Sequence, residues 1–233
     1  MKINILASGS SGNCYVLTDN NGNQILLECG IKYEKIVPHI DFEKLDCLLT
    51  SHVHSDHSLC IDKFIDNLVD TYTTNNTTAG KPIKLKNWTI LPIQMFHNVE
   101  CFGYMIHNKI ENKTILFATD TNSLPSIADR HFDCMMLECN YNYNKMLDNS
   151  QAHLLNSDGY KNHMALEDLV EWLRVREVKP AHLIAIHLSG NGNLDKDLAQ
   201  QALSHFAHKF SFAKKGGMIE VWKKHHFKLK LEK

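Results

Sequence analysis

The sequence predicts an α/β protein in which two β-sheets pack face to face and helices cover their outer sides. Three observations carry that expectation. Strand-length apolar runs recur through both halves of the 233 residues. Helical patterns are interspersed among those runs. No repeat, linker or low-complexity segment interrupts the chain, so one domain over 1–233 is expected, long enough to bury a substantial core.

Taken in order, "KINILAS" and "CYVLTD" are apolar runs flanking the small-residue loop "SGSSGN". "GNQILLECG" follows the turn "DNNGN" as a further strand, and "LDCLLT" is apolar enough for a buried one. "IDKFIDNLVDTY" has helical spacing through Ile61, Phe64, Ile65 and Leu68. "KPIKLKNWTILPIQMF" alternates as paired strands do, and "KTILFATD" and "FDCMMLECN" continue the β pattern. A helix is expected at "MALEDLVEWLRVREV", a strand at "AHLIAIHLS", a late helix over "NLDKDLAQQALSHFAHKF" and a closing strand at "GGMIEVW".

Composition narrows the function classes. The chain is 43% hydrophobic and 22% charged, ordinary for a globular protein, and its formal net charge is −1. It lacks the overall basic field with which proteins grip long polyanions. The basic tail "KKHHFKLKLEK" reads as a solvated terminus. Cys14, Cys29, Cys47, Cys60, Cys101, Cys134 and Cys139 are odd in number, mostly lie in apolar runs and form no CxxC, so they read as buried free thiols. No run is long enough for a signal peptide or a membrane span, which gives a cytoplasmic expectation without membrane contact.

The stretch "SHVHSDH" places His52, His54, Asp56 and His57 on the loop leaving "LDCLLT". Residues two apart in extended chain point the same way, so His52 and His54 can grip one ion. Asp56 and His57, past the bend, can face a second. Imidazole and carboxylate suit zinc, manganese or iron. Packed together without a cation, these groups would repel when protonated. Three more ligand types end apolar strands: His97 after "ILPIQMF", Asp120 in "TILFATD" and His187 in "AHLIAIH". Such ends converge at one rim of a sheet. His39, His107, His131, His153, His205, His208, His225 and His226 lack that setting and read as surface or packing residues.

In this order, these residues resemble the metallo-β-lactamase-fold hydrolases. The HxHxDH signature stands at His52 to His57, with His97, Asp120 and His187 in the later ligand positions, and the likeness spans essentially the whole chain. The resemblance implies a four-layer αββα sandwich. It implies one metal on His52, His54 and His97, a second on Asp56, His57 and His187, and Asp120 bridging both. Asp56 and Asp120 would then serve the reaction as well as the ions. The opening "LASGSSGNCYVL" resembles the phosphodiesterase branch, which includes WalJ-like exonucleases, ribonuclease Z and phage anti-Pycsar enzymes that cleave cyclic nucleotides.

The small residues from Ser8 to Asn13 let backbone approach a substrate closely, which puts Ser10 and Asn13 beside it, or form a simple tight turn between strands; Asn140 is expected to line the same pocket and Ser189 to contact phosphate. Glu28 stands where many relatives carry aspartate and would buttress a ligating histidine or its loop. "KNHMALEDLVEWL" resembles the "GHLSNEDA" segment of the WalJ-like group, with Asn162 and Ala165 replacing its glycine and serine. His163 would then reach the scissile phosphate or protonate the leaving oxygen. A second subunit closing the pocket would make the protein a homodimer. The leading expectation is a phosphodiesterase with two divalent ions, zinc or manganese, acting on a small nucleotide such as a 3′,5′-cyclic one. Near-neutral charge and the lack of ribonuclease Z's long inserted arm favour a small substrate. The alternatives are an exonuclease acting on a nucleic acid end and a metal-binding protein without catalysis, against which the complete ligand set speaks. The small-residue loop lacks the GKS or GKT of a triphosphate-binding loop.

Overall fold

In a computed structural model, residues 1–127, 131–148, 151–154 and 157–222 are described. The basic tail lies outside them. One sheet orders its strands β13 (Gly217–Glu220), β1 (Lys2–Ala7), β2 (Cys14–Thr18), β3 (Gln24–Leu27), β4 (Leu45–Leu49) and β5 (Thr71–Tyr72). The other orders β12 (Lys209–Phe212), β11 (His182–Ile186), β10 (Cys134–Glu138), β9 (Lys113–Ala118), β8 (Cys101–Asn108), β7 (Trp88–Met95) and β6 (Ile83–Lys84).

Period-2 side-chain alternation assigns the layers. Ile3, Ile5, Tyr15, Leu17, Ile25 and Leu27 face inward, where they meet Phe102, Tyr104, Phe117 and Ile184 of the second sheet. Their neighbours Leu6, Cys14, Val16 and Leu26 face out and pack on Phe64 of helix α2 (Ile61–Asp66). On the far side Leu116, Met135 and Leu183 are covered by α5 (Leu166–Arg176) and α6 (Lys196–Ser204). Leu166, Leu169 and Leu173 of α5 are buried at helical spacing. The Asp195 side chain starts α6 by accepting from the Asp197 and Leu198 amides. The result is the expected four-layer αββα sandwich. All seven cysteines are buried free thiols. Among the described residues, no helix is long and apolar enough to cross a membrane.

Three segments depart from the sequence pattern. The late helix stops at Ser204, and Lys209–Phe212 becomes β12, parallel to β11. The amide of His208 donates to Pro180 O and draws the chain back to the sheet. Helix α2 ends at Asp66, where the Asn67 side chain bonds Lys63 O and Leu68 turns left-handed, so Thr71–Tyr72 reaches the sheet edge as β5. β8, which the pattern does not single out, pairs with both β7 and β9.

Strand polarity sets where function can sit. β1, β3 and β4 run the same way, since β2 is antiparallel to both β1 and β3, and β4 is parallel to β3. β9, β10, β11 and β12 are parallel, and β7 shares their direction through two antiparallel pairings by way of β8. The chain leaves these strands at one rim of the sandwich.

Candidate metal centre

The loop leaving β4 at that rim carries Ser51 and His52. His54 then caps the helical turn α1 (Ser55–Ser58), so the expected bend is a single helical turn. It swings Asp56 and His57 round to face the same space, with the His57 amide donating to His54 O at 2.9 Å. β7 delivers His97, β9 delivers Asp120 and β11 delivers His187. Asp120 and His187 both leave their strands with φ of 49°, and Glu28 leaves β3 with φ of 62°. Left-handed backbone is unfavourable for non-glycine residues, and such outliers cluster at functional sites.

The side chains of the seven expected ligands fall into two adjoining groups, and a third set, Asp120, Glu138, His163 and His187, overlaps the second. His54 Nδ1 lies 2.9 Å from His52 Nε2 and 3.4 Å from His97 Nε2. In the second group, His57 Nε2 is 3.3 Å from both Asp56 Oδ2 and Asp120 Oδ1, and His187 Nδ1 is 3.4 Å from Asp120 Oδ1. Asp120 Oδ2 also comes within 3.9 Å of His52 Nε2, so this carboxylate stands between the groups. Within each group one ligand atom per residue lies inside 4.8 Å of all the others.

Burial and charge separate the two halves. Burial, aided by the nearby His57, pushes His52 down to about 2, and burial also lowers His97. Their lone pairs are therefore available to a cation at neutral pH. Burial alone would also lower His187, yet Asp120, Asp56 and Glu138 together raise it to about 10. His57 is raised against its burial by Asp120 and Glu28. Asp56 and Asp120 stay below the usual carboxylate range despite burial, held there by His187 and His57. The buried Nε2 of His187 has no hydrogen-bond partner. A buried polar atom of this kind is costly unless something binds it. Nitrogen and carboxylate donors, two adjoining groups and an orphaned imidazole nitrogen together fit two divalent cations.

The overall shape matches YhfI of Bacillus subtilis, a metallo-β-lactamase fold protein, over 94% of this chain and 98% of that one, with TM-score 0.71 and 18% identity. This chain has the metallo-β-lactamase fold. A diphosphatase of the PhnP family is similar over 95% of this chain and 98% of that one, with TM-score 0.66 and 14% identity. Human tRNase Z, short form, is similar over 95% and 100%, with TM-score 0.62 and 12% identity. No protein-family model matches the sequence, and no curated protein matches it by sequence.

In this metallo-β-lactamase sandwich the residues behind the ligands are main-chain anchors. Glu28 accepts from the Ser51 amide at 3.1 Å, and its other oxygen is 3.4 Å from His57 Nδ1. Asn13 differs from its expected place at the substrate. It is fully buried; its Oδ1 accepts from the Gly9 amide, and its Nδ2 lies 3.0 Å from His57 Nε2. Its amide group therefore holds the loop and the ligand. The three loops are tied through their backbones: Asn13 N to Asp56 O, Cys29 N to His57 O and Gly30 N to Asn13 O, all within 3.0 Å. A Cβ at Gly30 would run into the Asp56 carbonyl.

Sequence reasoning missed Glu138. It ends β10 fully enclosed, with Oε1 at 2.6 Å from His163 Nδ1 and 2.8 Å from His187 Nδ1, and Oε2 accepting from the Thr121 amide. The signal was available, because an acid closing a buried strand is what marked Asp120. Glu138 and Asp120 raise His163 against its burial. The His163 ring stacks on His187 with centroids 5.2 Å apart. Ser10, Asn140, His163 and Ser189 share the wall of a cavity of about 650 Å3 beside the ligands. Asn140 also donates to His187 O at 2.9 Å.

Proposed function

We propose that the protein is a dinuclear metal-dependent phosphodiesterase acting on nucleotide phosphodiesters. The carrying observation is the pair of ligand groups joined at Asp120, with the His163–Glu138 pair on the wall of the adjoining cavity. His52, His54 and His97 would hold one ion. Asp56, His57 and His187 would hold the other, and Asp120 would serve both. Zinc or manganese suits these donors. When bound, the pair would polarise phosphoryl oxygens and make hydroxide available near neutral pH. The diphosphatase and tRNase Z among the structural relatives support phosphoester chemistry on this scaffold.

The chain's own residues supply the rest. Asp56 and Asp120 orient the attacking oxygen. Glu138 fixes His163 through Nδ1, which leaves Nε2 to give a proton to the departing oxygen. Ser10, Asn140 and Ser189 are placed to bind the phosphate or sugar. The cavity of about 650 Å3 is large enough for one nucleotide, which supports a small substrate, including a 3′,5′-cyclic one. A strand end of DNA or RNA is the second reading, favoured by a further cavity across the Ser8–Asn13 loop. We propose a cytoplasmic location and a homodimer in which a second copy closes the open side of the site.

Manganese- or zinc-loaded protein is to be incubated with cyclic mononucleotides, end-labelled DNA and RNA, and bis-p-nitrophenyl phosphate. Turnover of phosphodiesters with two metal equivalents per chain is expected. Metal binding without hydrolysis of any substrate would return the protein to the non-catalytic class. Light scattering should give twice the 26.7 kDa chain mass; the chain mass itself would remove the dimer.

A further inference from the structure

A second cavity, of about 630 Å3, lies on the other flank of the Ser8–Asn13 loop. Ser8 and Ser11 line both this cavity and the one beside the metal ligands, so only the loop separates them. Ser8 is tied to the centre directly, because its Oγ accepts from the His187 amide at 2.9 Å and from the Tyr15 hydroxyl at 2.8 Å.

The lining has two characters. Leu6, Ile31 and Pro38 give an apolar surface. Lys35 and Lys215 give two cations and His39 a ring donor, and among the described residues no acidic one lines the cavity. These basic groups come from separate parts of the chain. Lys35 and His39 stand on the single-turn helices Tyr33–Lys35 and Val37–His39. Lys215 sits on the turn by which the chain crosses from β12 in one sheet to β13 in the other, and the Gly216 amide pins that turn to Ile5 O at 2.8 Å. Two lysines and no carboxylate among the described residues face this cavity, in a chain of net charge −1.

We infer that this cavity is a second nucleotide subsite, which takes the nucleotide next to the one cleaved, so that the substrate is a single-stranded oligonucleotide end. The His39 ring and the apolar surface suit the face of a base, and the lysines suit its phosphate; a basic groove with side chains on which bases stack is how single strands are held. A strand crossing the loop would put one phosphodiester at the metals and the next nucleotide in the basic cavity. A cyclic mononucleotide fills the first cavity alone. The inference rests on the phosphodiesterase reading and selects its second form.

The test separates binding from catalysis. Fluorescein-labelled deoxythymidine and uridine decamers are titrated by anisotropy into metal-free full-length protein, and bis-p-nitrophenyl phosphate hydrolysis is followed in the manganese-loaded form. In K35A/K215A, oligonucleotide affinity should fall about tenfold at low salt, and the salt slope should shrink by about 1.4 for the two lost phosphate contacts. Hydrolysis of the small diester should stay unchanged. The control K84A/K86A, at and beside β6 on the far edge of the other sheet, should bind as wild type. Unaltered affinity in K35A/K215A, or an equal loss in the control, overturns the subsite. Oligonucleotide binding without hydrolysis of any diester overturns the phosphodiesterase reading instead. Preference for one decamer tells DNA from RNA as the source of the strand.

Discussion

His182 and His187 stand at opposite ends of β11, five residues apart in one buried strand, and their surroundings differ completely. Each is almost fully enclosed, and each has one ring nitrogen without a hydrogen-bond partner. His182 bonds Ser211 Oγ at 2.8 Å and pairs in register with Lys209. Burial and that lysine lower it to about 4. His187 meets Asp56, Asp120 and Glu138, which carry it to about 10 against its burial. The two ends of one strand therefore give the same side chain opposite electrostatic surroundings: carboxylates at one favour a positive charge beside the ring, whether a proton or a metal ion, and the lysine at the other disfavours it. Carboxylates gathered at the C-terminal rim, against a lysine at the other end, make the difference, since both rings are almost fully enclosed. The orphaned nitrogen at the rim has acids and other imidazoles around it and is suited to a cation. The one at the far end has a lysine nearby and is not.

The largest contrast is expected from truncating each histidine. His187→Ala should reduce bound metal from two equivalents toward one and slow diester hydrolysis by roughly 10³-fold or more. His182→Ala should leave both untouched and cost about 1–3 kcal/mol of stability, read from urea midpoints. Comparable activity losses in the two variants would erase the distinction.

Next in size is the carboxylate that holds the rim. His163→Ala should lower turnover roughly 10²–10⁴-fold on substrates with alkoxide leaving groups and far less on p-nitrophenyl esters, with metal content unchanged. Glu138→Gln keeps the shape and removes the charge. It should reproduce that leaving-group dependence and shift the alkaline limb of the rate profile downward. A loss in His163→Ala that is equal for both leaving groups would assign this histidine to phosphate binding.

The acid and alkaline limits of the metal-free protein should separate the two ends of β11. The folded value of His187 is raised above the unfolded 6.5, so its stabilisation is complete below pH 6.5 and is lost as pH rises through about 10. The folded value of His182 is depressed, so its contribution is present above pH 6.5 and is lost as pH falls through about 4. Thermal midpoints against pH should therefore lose part of the alkaline slope in His187→Ala and part of the acid slope in His182→Ala. The same limb flattened in both variants would contradict the assignment.

The smallest effect is expected from Lys209→Ala. Removing the cation opposite His182 should move that imidazole part of the way back toward 6.5, visible as a shifted proton NMR titration. The metal centre should not respond. An unmoved titration would leave burial as the sole cause.

The candidate ligand set, which the fold brings together, was legible because strand ends can be read from apolar runs and the types of residue closing them are unusual. His97, Asp120 and His187 each follow such a run. Glu138 closes "CMMLE" in the same way but stood next to no histidine in sequence, and its partners His163 and His187 come from residues 25 and 49 positions later. The turned-in backbone at Glu28, Asp120 and His187 left no mark, since none is glycine. The end of α6 was hidden because its amphipathic pattern runs on smoothly into "HFAHKF", and only tertiary pairing with β11 makes β12. β8 lacked clear alternation because nearly all of it is buried, on both faces. The sequence leaves the place of Asn13 open, because serine and asparagine beside glycine suit both a binding loop and a loop that binds itself.

The backbone ties among Asn13, Cys29, Gly30, Asp56 and His57 carry a consequence for sequence drift. Main-chain donors and acceptors are present whatever the side chain, so the positions of Asp56 and His57 depend on neighbouring side chains chiefly through Asn13 and Glu28. Apolar residues of both sheets can therefore be exchanged widely while the ligand cradle keeps its shape, in keeping with a fold retained at 18% identity. Gly30 is the exception, because any side chain there would displace the turn that carries two ligands. A library that randomises the sandwich core but fixes Gly30 and the ligands should keep far more folded, metal-competent members than one that varies this single glycine.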